Sequence, residues 1–372
     1  MEWKTGSSDG FGSAFTGCTG ISKVRLTLGK NTEVNYSNWG PNKNYYANNP
    51  WYISTVENLE VKIDNGITRI PDYTFAGCDN IKSISIPKSV TEIGEGAFQN
   101  CSNLTGKLTD ISNVTSIGTK AFKGCAKISG KIVLPTGMSE INEEIFSGCS
   151  SIEEVVIPPN IIKIGKEAFK SCTSLANLTV PIVMKYGESD GFGTSFTGCT
   201  GISKVRLTLG KDGNGVGTDY DTWSTYSYYY RNTPWYISTV ENLEVTLDNG
   251  ITRIPKYIFT DCDNIKSIII PNSVTEIGDG AFRGCSNIEG ELTDISNVTS
   301  MGEDAFKGCA KLSGKIVIPT GMSEINEETF SGCSSIEEVV IPPNIISIGK
   351  EAFKSCTSLT NLTVPIVMKT RR

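Results

Sequence analysis

The sequence predicts an α/β repeat solenoid, with a parallel β-sheet on one face and short helical or 3₁₀ turns on the other. Three observations predict it. Twelve cysteines recur in one phase, a phenylalanine stands three residues before each, and the whole pattern occurs twice along 372 residues. Fixed periods of 20–50 residues are the mark of stacked repeats.

The period is the first element. The cysteines fall at 18, 78, 101, 125, 149 and 172, then at 199, 262, 285, 309, 333 and 356. Within each series the last five are 23, 24, 24 and 23 residues apart. A longer period lies above this one. "WYISTVENLEV" begins at Trp51 and again at Trp235, and residues 51–185 differ from 235–369 at 22 of 135 positions. The chain therefore reads as two tandem halves, 1–186 and 187–372, each with six Phe-x-x-Cys units, in one continuous solenoid.

The unit itself can be read from "CDNIKSISIPKSVTEIGEGAF", Cys78 to Phe98. Ile84 and Ile86 alternate with Ser83 and Ser85, the period of a strand with one buried face. Pro87 ends that strand because proline has no N–H to donate to a ladder. Val90 and Ile93 point inward from a loop. Ala97, Phe98, Cys101 and Leu104 then follow at spacings that suit a helical or 3₁₀ turn with one buried stripe. A unit this short cannot bury its apolar side alone, whereas stacked copies form a continuous core.

This pattern, "ISIPKSVTEIGEGAFQNCSNL" at 84–104 and "IIIPNSVTEIGDGAFRGCSNI" at 268–288, resembles the BspA-type leucine-rich repeat. "PWYISTVENLEVKIDNGITRIPDYTF" at 50–75 resembles a recurrent opening segment of such proteins. The resemblance implies a leucine-rich-repeat-like solenoid in a secreted or surface-attached bacterial, sometimes protist, protein. It implies repeats that bind host or neighbouring-cell ligands, and no enzyme activity. "CSNLTGKLTDISNVTSIG" and "CSNIEGELTDISNVTS" depart from it, with one extra residue and Asp-Ile in place of Ile-Pro, which puts the strand of that unit in question.

Composition excludes several classes. The chain has no histidine, which removes His-based acid–base chemistry, His metal ligation and Ser-His or Cys-His nucleophiles. A net charge of −6 gives no attraction to nucleic acid or anionic membrane. No apolar run approaches the ~20 residues that span a bilayer. "MEWKTGSSDG" lacks the apolar core of a signal peptide. With no polar cap at either end, the sequence reads as part of a longer protein whose export signal and anchor lie elsewhere, and the bare ends allow end-to-end self-association.

The cysteines admit three readings. A metal site needs three or four convergent ligands, and there is no Cys-x-x-Cys. A disulfide framework has the even count, but neighbouring turns are expected to lie beyond the ~7 Å limit for a bridge. The third reading is a small buried thiol packed beside Phe98, Phe122, Phe282 or Phe306, as at Cys101, Cys125, Cys285 and Cys309. No metal and no cofactor are expected. The paired acids Glu143-Glu144, Glu153-Glu154, Glu327-Glu328 and Glu337-Glu338 recur with the units and read as solvated edges.

Two features could bind a partner. Strand positions facing away from the core include Ser85, Thr109, Val133, Val156 and Thr179, then Ile269, Thr293, Val317, Val340 and Thr363. β-Propensity and a binding face both account for the valines and isoleucines among them. The second feature is a pair of aromatic insertions at 31–52 and 212–236, which hold four of the five Trp and ten of the thirteen Tyr. Trp51, Tyr52, Trp235 and Tyr236 read as the start of the next coil. Tyr36, Trp39, Tyr45, Tyr46, Tyr220, Trp223, Tyr226, Tyr228, Tyr229 and Tyr230 are the candidate contacts for an extracellular protein or glycan, packing over the sheet being the alternative. The functional expectation is a non-catalytic adhesion module, with a surface spacer or self-associating array as the second reading.

Overall fold

A typical coil starts with a long strand such as Ile81–Ser85 or Ile152–Val156. A proline ends the strand and opens a turn, in which the Val90 N–H donates to Pro87 O at 3.0 Å. A two-residue strand follows, Glu92–Ile93 or Lys163–Ile164, where a loop is expected from the sequence. Tight turns then lead to the next long strand. The structure, a computed structural model, describes residues 18–27, 57–106, 108, 111–161, 163–182, 194–210, 240–292 and 295–365.

The chain divides into two compact units, one of Met1–Leu178 with Met184–Gly201 and one of Thr179–Val183 with Ile202–Arg372. Each is a parallel β-solenoid of stacked coils. In the first, Lys23–Leu26, Leu59–Ile63 and Ile81–Ser85 form one parallel sheet. Gly130–Val133 pairs with Ile152–Val156 further along. In the second, Lys204–Thr208, Leu243–Leu247 and Ile265–Ile269 form a sheet, as do Gly314–Val317, Ile336–Val340 and Asn361–Thr363. The short strands make their own parallel ladders, with Ile70, Ile93 and Ile117 in register.

Among the described residues the departing units interrupt the long-strand ladder. Among the described residues they contribute only the isolated bridges Gly106↔Ile128 and Gly290↔Leu312. Ile84 and Ile268, the last strands' inward positions before this break, are accordingly half-buried rather than core.

The turn side is not helical, so the α component of the expected fold is corrected. Among the described residues only Thr194 and Ser195 have helical geometry. The reason lies in where alternate N–H groups go. Tyr73, Phe75 and Gly77 donate to Glu95, Ala97 and Gln99 of the next coil at 2.7, 2.7 and 2.6 Å. The residues between, Ala76 and Cys78, close turns on Tyr73 and Phe75 within their own coil, each at 3.0 Å. A helix would keep every such bond inside the segment. Left-handed residues two before and two after each phenylalanine from Phe75 to Phe169 and from Phe259 to Phe353 enforce the pattern: Lys120 at φ 59° and Gly124 at φ 76° flank Phe122, and Glu144 and Gly148 flank Phe146 in the same way.

Stacked coils make stacked cores. Phe75, Phe98, Phe122, Phe146 and Phe169 lie ring on ring at centroid distances of 5.2, 5.1, 5.4 and 5.5 Å. Phe259, Phe282, Phe306, Phe330 and Phe353 repeat this at 5.2, 5.0, 5.5 and 5.5 Å. The glycine after the short strand is a consequence of such close stacking. A Cβ on Gly118 would sit 2.4 Å from the Glu95 backbone nitrogen of the preceding coil. Asparagine amides add stitches between coils, Asn103 to Asp79 O at 2.7 Å and Asn287 to Asp263 O at 2.6 Å.

Candidate interaction surface

Each long strand turns two side chains outward, and parallel register lines these up as two columns. The first column is charged and self-neutralising. Lys23 pairs with Glu60 at 3.4 Å and Lys131 with Glu154 at 2.9 Å in the first unit. Lys204 pairs with Glu244 at 3.2 Å and Lys315 with Glu338 at 2.8 Å in the second. Exposed pairs of this kind contribute little to stability, but they leave no strong field on the face.

The second column changes character along each unit. In the first it runs Arg25, Lys62, Ser85 and then, past the break, Val133 and Val156. In the second it runs Arg206, Thr246, Ile269, and past the break Val317, Val340 and Thr363. Val133 is 50% exposed, Ile269 56% and Val317 49%. Val156, Val340 and Thr179 are half-buried, while Ser85 and Thr363 are exposed. Thr109 and Thr293 lie outside the described residues.

In the second unit the apolar column opens into a groove of about 320 Å³ beside the departing coil, whose described residues form no strand. Leu292, Ile295, Val317 and Pro319 supply its apolar wall, with Glu291 and Lys315 at the rim. Sequence reasoning identified Val317 but not the groove. The signal was the Asp-Ile that replaces Ile-Pro in this unit, whose described residues contribute the bridge Gly290↔Leu312 in place of a long strand.

The ten aromatic candidates Tyr36, Trp39, Tyr45, Tyr46, Tyr220, Trp223, Tyr226, Tyr228, Tyr229 and Tyr230 lie outside the described residues, as do Trp51, Tyr52, Trp235 and Tyr236. The core residues Phe98, Cys101, Phe122, Cys125, Phe282, Cys285, Phe306 and Cys309 are each at most 1% exposed.

The cysteines form a ladder of their own. The Cys101 thiol donates to Phe75 O at 3.0 Å, Cys125 to Phe98 O at 3.0 Å, and Cys309 to Phe282 O at 3.2 Å. The same carbonyl also accepts the N–H of its own coil's cysteine, as Cys125 N to Phe122 O at 3.1 Å beside Cys149 Sγ to Phe122 O at 3.1 Å. Both lone pairs of the phenylalanine carbonyl are thus filled. All the described cysteines are free thiols. Their freedom does not come from wide spacing, as expected from the sequence; the phenylalanine rings of adjacent turns stack about 5 Å apart, because coils bond directly N–H to O=C. Burial pushes the thiols of Cys101, Cys149, Cys285 and Cys309 well above the usual range, which makes them poor nucleophiles.

Glu144 is not a solvated edge. It is buried against Lys120 and Lys123. Burial pulls its carboxyl upward, but the hydrogen bond and charge of Lys123, helped by Lys120, outweigh that and hold it below the usual range. Glu154 and Glu338 take part in the outer charged column. Among the described residues no three metal-ligating side chains gather, and no helix is long and apolar enough to cross a membrane.

A family model described as a BspA type leucine-rich repeat region, in six copies, matches residues 51–176 and 242–371. Among solved structures the chain is similar to a leucine-rich cell surface protein from Faecalibacterium prausnitzii, at 27% identity over 82% of this chain and 78% of that one, with a TM-score of 0.38. It is also similar to leucine-rich repeat proteins from Bacteroides ovatus, at 24% identity over 86% and 76% with a TM-score of 0.43, and from Eubacterium ventriosum, at 23% over 87% and 77% with a TM-score of 0.35. No curated protein matches it.

Proposed function

The chain belongs to the BspA-type leucine-rich repeat family, and on that premise we propose that it is a non-catalytic module of the extracellular surface that recognises proteins or glycans of a host or neighbouring cell. The observation that carries this is Ile269. It stands 56% exposed at the position that Ser85 holds in the first unit, in the same strand and the same register. A serine builds that strand equally well, so strand pairing alone does not call for isoleucine there. Past the departing coil lie Val317 and the groove, and the charged pairs of the face cancel one another. Such a face is apolar enough to lose water on contact and carries no field to select a charged partner. The aromatic tips of the insertions at 31–52 and 212–236 are a second contact zone on this reading, because Tyr and Trp supply large contact area at low entropic cost.

A binding screen tests the proposal. The chain is offered extracellular-matrix proteins, mucins and a glycan array. Beside it run a variant carrying Ile269→Ser and Val317→Ser, and another with both insertions shortened to Gly-Ser linkers. A ligand that binds the parent and loses at least about tenfold in affinity on the face variant, at equal melting temperature, supports the sheet face. Loss confined to the shortened variant moves the site to the aromatic tips. A parent that binds nothing favours the spacer reading, in which the repeats separate other parts of a surface protein.

A further inference from the structure

We propose that the groove of the second unit takes a segment of a protein partner in which an aliphatic side chain lies next to a lysine or arginine. The proposal rests on the binding reading above and names the partner's chemistry. It starts from the charge of the two halves. Residues 51–185 carry 13 Lys and Arg against 14 Asp and Glu, a net −1, whereas residues 235–369 carry 10 against 18, a net −8. Six of those seven charges come from four substitutions in the departing unit: Glu289 for Thr105, Glu291 for Lys107, Glu303 for Thr119 and Asp304 for Lys120. The first half makes the matching bridge, Gly106↔Ile128, with threonine and lysine beside it, so the fold does not call for acid there.

Two of the four acids, Glu289 and Glu291, flank the bridge residue Gly290. Glu289 lies 3.9 Å from Lys266 and 3.7 Å from Lys311. Glu291 is exposed and has no ion pair among the described residues. Its side chain lies over the start of the strand Gly314–Val317. A Cβ on Gly314 would sit 2.6 Å from Glu291 Oε1 and 2.7 Å from its Cγ, so glycine at this position leaves room for the carboxylate at the groove's rim. The other charge at the rim, Lys315, is engaged with Glu338 at 2.8 Å. The charged columns of the long strands cancel, and among the described lining residues Glu291 is the charge left without a partner.

Two features of the groove choose its occupant. The wall of Leu292, Ile295, Val317 and Pro319 is aliphatic, with Ser296 and Thr320 as its neutral polar groups. A sugar would press hydroxyls against that wall and leave them without partners, which costs free energy. An aliphatic side chain gives up nothing polar there. At about 320 Å³ the space suits a few side chains rather than a folded domain. The unpaired carboxylate then favours a cation beside that side chain, and lysine or arginine brings an apolar stem of its own to lie along the wall.

Fluorescence anisotropy tests it with labelled peptides of ~10 residues, each with a central Leu, Ile, Val or Phe flanked by Lys, by Gln or by Glu. The full chain is titrated beside Glu291→Lys and Val317→Ser. Lysine is what the first half carries at the matching position, with Lys131 where Lys315 stands, so the first variant keeps a tolerated coil. Glu291→Lys is expected to weaken Lys-flanked peptides at least about tenfold and to leave Gln-flanked ones within about twofold. Val317→Ser is expected to weaken both sets alike. Lys-flanked binding that is unchanged by Glu291→Lys at equal melting temperature overturns the proposal, and if Val317→Ser still weakens it, the binding reading of the face stands. A chain that binds glycans but no peptide, or that binds no peptide at all, also overturns the proposal, and the binding reading then rests on the matrix, mucin and glycan screen alone.

Discussion

Replacing Phe122 with alanine should cost about twice what replacing Phe353 costs, although both occupy the same repeat position. Phe122 is 0% exposed and sits between Phe98 at 5.1 Å and Phe146 at 5.4 Å. Removing a ring so enclosed leaves a cavity and costs about 3–5 kcal/mol. Among the described residues Phe353 has one ring neighbour, Phe330 at 5.5 Å, and is half-buried. Half the buried area and one lost stack reduce the cost to about 2 kcal/mol. Repeat arrays need not unfold in one step, so global denaturation would blur the difference. Hydrogen exchange by peptide mass analysis resolves it. With each ~1.4 kcal/mol worth a factor of ten, Phe122→Ala should speed exchange about 10³-fold in the coils from Gly94 to Cys149. Phe353→Ala should speed it about 30-fold, and only near 349–365. Equal effects at the two positions, or a Phe122→Ala effect spread evenly over the whole chain, would refute the idea that stability here resides in nearest-neighbour stacking.

Two further outcomes follow from the turn side. Under native, dilute conditions an alkylating reagent should modify Cys18 first and Cys356 more slowly, leaving the other ten thiols unmodified until denaturant is added; intact-mass measurement reads this as two adducts out of twelve, and uniform labelling would contradict the buried ladder. Ser171→Gly, at φ 59°, should leave stability unchanged or raise it by up to about 1 kcal/mol, since glycine occupies left-handed backbone without strain; in a helix the same change would lower stability by about 1 kcal/mol, so urea midpoints decide the geometry by sign.

The turn side also shows where sequence reading reaches its limit. Ala97, Phe98, Cys101 and Leu104 have the spacing of a helical stripe, and all four are buried. Burial follows from side-chain chemistry and is local, so it could be read. Hydrogen-bond direction is not local. Whether Phe98 N–H bonds back within its coil or across to Ala121 O at 2.7 Å depends on a residue 23 positions away. The available hint was Gly96, at φ 55°, which a helix would not place two residues before its buried phenylalanine. Ile84 failed for a similar reason: its alternation is correct, but its cover depends on the following unit, which among the described residues contributes only the bridge Gly106↔Ile128. The charged column was half legible, because Lys131 and Glu154 or Lys315 and Glu338 are one period apart, yet only register shows that they meet. Outward candidates such as Ile269 and Val317 were legible from alternation alone.

The same chemistry is shared by every coil of the stack. Each coil meets the next through a long-strand ladder, a short-strand ladder, alternate turn N–H groups, a phenylalanine stack and a thiol to carbonyl bond. None of these involves a side chain peculiar to one coil. Specificity for a particular neighbour could come only from outward residues or from covalent continuity, and the outward pairs contribute little.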